Sequence, residues 1–103
     1  MALFNLADAA DRLPHAWKSA ILARSGDCNI KILKMDRQPY PDETHDYNEA
    51  LIVVSGMLRL SVAGKTIEVK AGDMYVAQAG VPHAVLEGSH GVLMIVDPVE
   101  DGC

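Results

Sequence analysis

Apolar and polar residues alternate along most of this chain, and glycine-containing turns interrupt the alternation at short intervals. In Met57–Val62, apolar residues at 58, 60 and 62 flank the polar Arg59 and Ser61, which is the period of two expected of a half-buried strand. Ser-Gly or Ala-Gly pairs recur about every eight residues from 55 to 80, and Gly-Ser-His-Gly follows at 88–91. Short strands at this spacing are typical of an all-β sandwich or barrel. The predicted strands are Ala50–Val54, Met57–Val62, Thr66–Lys70, Met74–Gln78, His83–Leu86 and Val92–Val96.

The first 16 residues follow a helical period instead. Asn5 is a good helix cap, apolar residues recur at 6, 9, 10 and 13, and Pro14 ends the helix. Such a segment is either a swapped arm or lid or, as we expect, a peripheral helix that covers one end of the barrel. Trp17–Arg24 and Asn29–Met35 then form a predicted hairpin around a Ser-Gly-Asp turn. The predicted organisation is a helical arm at 1–16 and a single β-barrel domain at 17–103.

Composition narrows the class of partner. The 103 residues carry a net charge of −5 and only nine Lys and Arg residues, which are scattered, so nucleic acid is not an expected partner. Apolar runs such as Ala50–Val54 are far too short to cross a bilayer, and residues 1–13 lack the pattern of a secretory signal. We therefore expect a cytoplasmic protein with no membrane partner. Cys28 and Cys103 form no CxxC motif, and the sequence leaves their pairing open.

Four side chains with metal-binding groups stand where the predicted strands can bring them together. Glu43, His45 and Glu49 are two and four residues apart, so they point to the same side of an extended segment. His83 follows a Gly-Val-Pro turn at the start of another run. In a barrel, inward residues of separate strands converge on the axis, where imidazoles and carboxylates can bind a divalent ion such as Fe, Mn, Zn, Ni or Co. The sequence predicts one such site, open on one side to water or substrate, at Glu43, His45, Glu49 and His83.

Tyr47 lies in phase with these ligands, between His45 and Glu49. It is expected either to face the metal and donate a hydrogen bond or to pack against the barrel wall. We expect Tyr47 or Glu49 to move protons in a reaction at the site. His15 and His90 are interpreted as structural. Each proposed ligand also has the plainer interpretation of a solvated loop or strand-edge side chain.

Two stretches of the chain resemble the sequence motifs of the cupin superfamily. The first motif reads His-x-His, three or four residues, Glu, six residues, Gly. Glu49 and Gly56 match its second half, and His45 matches its second His with the three-residue gap. Glu43 stands at the place of the first His. An alignment with the four-residue gap puts the Asp and Thr of positions 42 and 44 at the two His places, and we prefer the shorter gap because it retains a His ligand.

The second motif of that superfamily reads Gly, five residues, Pro-x-Gly, two residues, His, three residues, Asn. Gly72, Gly80 and His83 match it. Gln78 and Glu87 stand where Pro and Asn are usual. The resemblance covers about residues 30–97, and the short segment between the motifs is similar to that of small single-domain cupins.

The resemblance implies a jelly-roll β-barrel, usually a homodimer, with a metal ion bound by three His and one Glu. A carboxylate at position 43 in place of His shifts the preference of the site toward harder ions such as Fe or Mn. We expect a metal-dependent enzyme that acts on a small polar, for example sugar-like, molecule. A non-catalytic barrel that binds or senses a metal or small-molecule ligand is the alternative, and a barrel that has lost its metal is a third interpretation.

Overall fold

The computed structural model describes residues 2–99, which form one short helix and eight strands. The predicted all-β architecture with a short N-terminal helix is confirmed. Cys103 and the last residues of the predicted 17–103 domain lie outside the described residues. The elements are α1 (Leu6–Asp11), β1 (Ala20–Ser25), β2 (Cys28–Asp36), β3 (Tyr40–Glu43), β4 (Glu49–Val62), β5 (Lys65–Lys70), β6 (Met74–Ala77), β7 (His83–Val85) and β8 (His90–Pro98).

The strands pair antiparallel in one sheet that curls into a half-barrel. The pairing order is β1-β2-β8-β4-β7-β3, and β5 and β6 also pair with β4. The predicted hairpin is present, because β1 pairs with β2 around the turn between Ser25 and Cys28. The two edges of the sheet approach each other near β1 and β3. There the ring of Trp17, just before β1, lies 5.7 Å from the ring of Tyr40 on β3. The curl therefore encloses a space that faces the concave side of the sheet.

β4 continues through Ser55 and Gly56, where the sequence predicted a turn, so that prediction is wrong. The register of β4 with β8 shifts between Val53 and Ser55, which marks a β-bulge. Gly56 pairs with Gly91, and their φ angles are +79° and +100°. A Cβ on either glycine would lie 2.1 Å from a carbonyl oxygen of the other strand. Only glycine permits this close approach, and the bend lets β4 pair with β6 before it and with β5 and β7 after it.

The concave side of the sheet carries the apolar core. Leu58, Leu60 and Val53 are almost completely buried, and each contributes roughly 1.5–3 kcal/mol by leaving water. Alternation along the strands directs these residues inward, as the period of two predicts. The other buried core residues of the concave side are Leu33, Met35, Leu51, Val62, Val69, Ala77, Leu93 and Ile95.

Helix α1 begins at the predicted cap, where the side-chain oxygen of Asn5 accepts a hydrogen bond of 2.9 Å from the amide of Asp8. Ala10 and Leu13 pack with Ile32, which points away from the concave side because its neighbour on β2 points into it. The expectation that the helix covers one end of the barrel is therefore wrong. It covers an apolar patch on the outer face of β2 and β8. Within residues 2–99, no helix is long and apolar enough to cross a membrane.

Strand β3 lies in the polar stretch where the sequence predicts no strand. Pro41 and two acidic residues disfavour strand structure there. β3 nevertheless pairs with β7, and Glu43 stands opposite His83 in the register. This pairing connects the two sequence segments that hold the predicted ligands.

Candidate metal centre

The four predicted ligands converge at one place on the concave side. Glu43 ends β3, Glu49 begins β4, His83 begins β7, and His45 lies in the connection between β3 and β4. One ligand atom from each residue can be chosen so that all four atoms lie within 4.8 Å of one another. The residues at 42, 44, 46 and 48 are exposed, whereas those at 43, 45, 47 and 49 are buried or half-buried. The predicted alternation is therefore present, and the three-residue alignment is the one that fits the structure.

Backbone hydrogen bonds fasten the two ligand-bearing segments to each other. The amide of Gly80 donates to the carbonyl oxygen of His45 at 2.8 Å. The amide of Ala79 donates to the side-chain oxygen of Asn48, also at 2.8 Å. The turn before His83 is thus held against the loop that carries His45, so the positions of both imidazoles are fixed by the fold.

The spacing of the ligand atoms is that of groups around a common centre and not that of hydrogen-bonded partners. The Nε2 atom of His45 lies 3.6 Å from Glu43 Oε2 and 3.9 Å from Glu49 Oε1. The Nε2 atom of His83 lies 4.0 Å and 3.7 Å from the same two oxygens. Hydrogen bonds of this type are about 2.7–3.2 Å long. Ligands bound at about 2.0–2.2 Å on different sides of one ion are separated by distances close to those seen here.

The donor atoms themselves indicate a missing partner. His45 Nε2 is buried and has no hydrogen-bond partner among the described residues, and such groups are rare in folded proteins. The other nitrogen of the His83 ring, Nδ1, faces the carbonyl oxygen of Val81 at 3.5 Å, which leaves Nε2 directed at the cluster. This is the arrangement in which a histidine serves as a metal ligand. Two imidazoles and two carboxylates are suitable donors for a divalent ion, so these residues fit a metal.

The electrostatics of Glu49 are set by its burial and by its charged neighbours. Burial raises the pKa of its carboxyl above the ordinary value, because the charged form loses hydration. The imidazoles of His45 and His83 oppose this rise. The carboxylates of Glu43 and Asp97 add to it. A divalent cation among these groups would reverse the balance and hold Glu49 ionised, as a ligand must be.

Tyr47 lies beside the cluster, as its phase predicts. Its ring stacks on the imidazole of His45, with centroids 4.8 Å apart and planes inclined by 16°. It also lines the cavity described below. Tyr47 therefore supports the His45 ring and presents its aromatic surface to whatever occupies the cavity.

The cluster opens onto a cavity of about 280 Å³ on the concave side. For comparison, an apolar cavity of about 150 Å³ holds benzene. Trp17 and Tyr40 border the cavity at the place where the two ends of the sheet meet. Its apolar wall is formed by Leu33, Leu51, Leu58, Leu60, Leu93 and Ile95.

Sequence reasoning missed two charged residues in this cavity, Lys31 and Asp97. Both stand in phase with inward apolar neighbours on β2 and β8, and that alternation is the signal that could have found them. His90 lies outside the cluster, and its Nδ1 atom is 3.0 Å from the carbonyl oxygen of Gly88. This placement agrees with its structural interpretation.

Comparison with known proteins gives matches to one family. A family model described as "Cupin domain" matches residues 35–97, and no curated protein sequence matches the chain. The structure of a cupin-2 domain containing protein from Shewanella frigidimarina NCIMB 400 is similar, with 26% identity and a TM-score of 0.87, over 94% of this chain and 95% of that one.

Two further solved structures share the fold at lower identity. Protein NMB1881 from Neisseria meningitidis is 20% identical with a TM-score of 0.81, over 93% of this chain and 98% of that one. KdgF from Halomonas sp. is 24% identical with a TM-score of 0.65, over 81% of each chain. At these identities the similarity concerns the fold alone.

Proposed function

Because the chain belongs to the cupin domain family, we propose that it binds one divalent metal ion on the concave side of its half-barrel. The proposed ligands are Glu43, His45, Glu49 and His83. The observation that carries the proposal is the buried His45 Nε2 atom, which lacks a partner yet stands 3.6–3.9 Å from two carboxylate oxygens. An ion at the common centre would satisfy this nitrogen and neutralise the two carboxylates.

The donor set favours Fe or Mn over softer ions, with Zn and Ni as the other candidates. Carboxylate ligands are hard, and two of the four proposed ligands are carboxylates, whereas no thiolate is present in the cluster. The cavity lies against the cluster, so coordination positions on that side are available to a ligand. A bound ion of this kind would supply Lewis acidity to an oxygen of the ligand.

We propose that the site is that of a metal-dependent enzyme acting on a small polar molecule. Glu49, which is also a proposed metal ligand, and Tyr47, which lines the cavity, are the residues assigned to proton transfer. The cavity volume supports a small substrate. A barrel that binds or senses a ligand without turnover has the same geometry, and the two functions are separated by whether a bound molecule is converted.

Metal analysis tests the proposed site directly. Protein purified without chelators is expected to contain close to one divalent ion per chain, measured by inductively coupled plasma mass spectrometry. Anomalous scattering from a crystal of the same preparation is expected to place that ion among the four ligands and to identify it. Protein that remains free of metal after exposure to Fe(II), Mn(II), Zn(II) and Ni(II) in turn would rule the proposal out.

We also propose that the chain forms a homodimer. Met74 and Val76 are exposed on the same face of β6, with 60% and 38% of their surfaces accessible, and a second chain that covers this face would remove both from water. Sedimentation velocity at micromolar concentration is expected to give the mass of two chains, and the Met74→Glu variant to give the mass of one. Wild-type protein that sediments as a monomer would contradict the proposal.

A further inference from the structure

We infer that Lys31, held by Asp97, forms an anion-binding subsite in the cavity, and that the ligand of this protein is a small carboxylate. The inference deepens the proposed function, because it gives the chemical class of the molecule that would reach the metal. It also assigns a role to two charged residues that the proposed metal site does not use.

Lys31 and Asp97 form an ion pair on the concave side. The Nζ atom of Lys31, on β2, lies 2.8 Å from Oδ2 of Asp97, on β8. The Asp97 side chain is only 4% exposed. Its other oxygen, Oδ1, accepts a hydrogen bond of 3.4 Å from the side-chain amide nitrogen of Asn29. Asp97 is therefore fixed in place, and it fixes the ammonium group in turn.

The sheet register places this pair beside the proposed metal site. Asn29 pairs with Asp97 across β2 and β8, and Ala50 pairs with Val96 across β4 and β8. Glu49 is therefore the residue of β4 that stands next to Asp97. β8 lies between β2 and β4, and adjacent strands are about 4.8 Å apart. Lys31 on β2 therefore faces the cavity one strand beyond Asp97, as seen from Glu49. Lys31 on β2 and Glu49 on β4 are thus separated by one strand, and both line the same cavity.

The ammonium group of Lys31 retains donors for a ligand. An ammonium has three N–H donors, and the contact with Asp97 uses one of them. The side chain is 24% exposed and lines the cavity, so the remaining donors are directed at its contents or its mouth. A stability role explains the pair poorly, because buried ion pairs stabilise proteins little compared with apolar residues. The next inward residue on β2, Leu33, shows that the strand accommodates an apolar side chain on this face.

The charges facing the cavity no longer repel an anion once a metal is bound. Without a metal, the carboxylates of Glu43, Glu49 and Asp97 outnumber the single ammonium of Lys31. A divalent cation would bring these charges to zero and remove the repulsion against an incoming anion. Charge-assisted hydrogen bonds from an ammonium to a carboxylate are among the strongest that a site can offer. The leucine side chains of the cavity wall would contact the hydrocarbon part of the same molecule.

A matched pair of probes tests the subsite. 4-Hydroxybutyrate and its uncharged amide, 4-hydroxybutyramide, are titrated into zinc-loaded protein and followed by NMR. Wild type is expected to bind the acid at least about tenfold more tightly than the amide, the effect of one hydrogen bond to a charged group. Lys31→Met is expected to lose that preference and Lys31→Arg to keep it. Lys34→Met is the control, since Lys34 lies on the same strand but contacts the Leu13 carbonyl on the outer face.

Equal binding of acid and amide by wild type, or an unchanged preference in Lys31→Met, would overturn the inference. If Lys31→Met does not fold because Asp97 is left buried and unpaired, the double variant Lys31→Met/Asp97→Asn takes its place. Zinc binding is measured on every variant and is expected to be unaffected by Lys31→Met. If wild type binds no zinc, the metal proposal fails, and the acid and the amide are titrated into the metal-free protein instead. A preference for the acid that depends on Lys31 still supports the subsite there, and its absence overturns the inference together with the metal proposal, because carboxylates without a cation repel an anion.

Discussion

Replacement of Gly91 by alanine is expected to destabilise the protein by about 2–5 kcal/mol. The new Cβ would lie 2.1 Å from the carbonyl oxygen of Ser55, so the two strands would have to separate. Forced repacking of this kind costs about 1–3 kcal/mol. The φ of +100° at Gly91 adds about 1–2 kcal/mol for a residue with a side chain. Since domains are stable by only about 5–15 kcal/mol, this loss is a large fraction of the free energy of unfolding.

The chain contains a close control for this effect. Gly88 has a φ of +99°, but nothing lies within 4 Å of the position that its Cβ would take. Gly88→Ala should therefore carry the backbone cost alone, about 1–2 kcal/mol. Urea unfolding of the two variants measures the difference. The close approach of the strands would be refuted if Gly91→Ala and Gly88→Ala were equally stable.

The same glycine contact also determines the position of the ligands. Glu49 lies on β4 before the bend, where the strand pairs with β6 and β8. After the bend, Val62 of the same strand pairs with His83 on β7. The bend of β4 at the bulge and Gly56 therefore turns one strand so that its two halves support candidate ligands from different parts of the sequence. Any variant that straightens β4 should weaken metal binding as well as stability.

Local sequence pattern was sufficient for most strands and for the common orientation of the candidate ligands at 43, 45 and 49. The alternation of residues 43, 45, 47 and 49 is visible in the sequence, and a period of two fixes a common side whether or not a strand is recognised. The role of Gly56 could not be predicted, because a glycine of positive φ serves a turn and a close approach of two strands equally well. What distinguishes them is the partner Gly91, which is distant in sequence, and local pattern carries no information about that pairing.

The missed features have two physical origins. β3 forms in a stretch of low strand propensity because its pairing with β7 outweighs the preference of Pro41 and the acids beside it. Lys31 and Asp97 were overlooked because charged residues are almost always on the surface. The alternation along β2 and β8 predicts that both side chains point inward, but their charge argues for the surface. Tertiary pairing decided the first case, and strand phase decided the second.

Removal of the His83 imidazole is expected to abolish most of the stabilisation that a metal gives. An ion present at 100 times its dissociation constant stabilises the native state by about 2.7 kcal/mol. Mutation of a residue that only orients a metal ligand commonly weakens metal affinity by about 10–100-fold. Loss of a ligand itself should therefore weaken the affinity by at least about 100-fold. At a 100-fold loss, the same ion concentration stabilises His83→Ala by only about 0.4 kcal/mol. Urea unfolding of each protein, with metal and with a chelator, measures this difference.

For each variant, the free energy of unfolding with metal is compared with that in a chelator, which separates the effect of metal binding from that of packing. His83 is buried, so His83→Ala also loses contacts, but that loss is present with and without metal and cancels in the difference. His90→Ala is the control, because His90 is half-buried and lies outside the cluster, and its metal-dependent stabilisation should equal that of wild type. If His83→Ala kept the wild-type response to metal, the ion would have to bind elsewhere. The buried nitrogen of His45 would then again lack a partner, and the proposed centre would have to be abandoned.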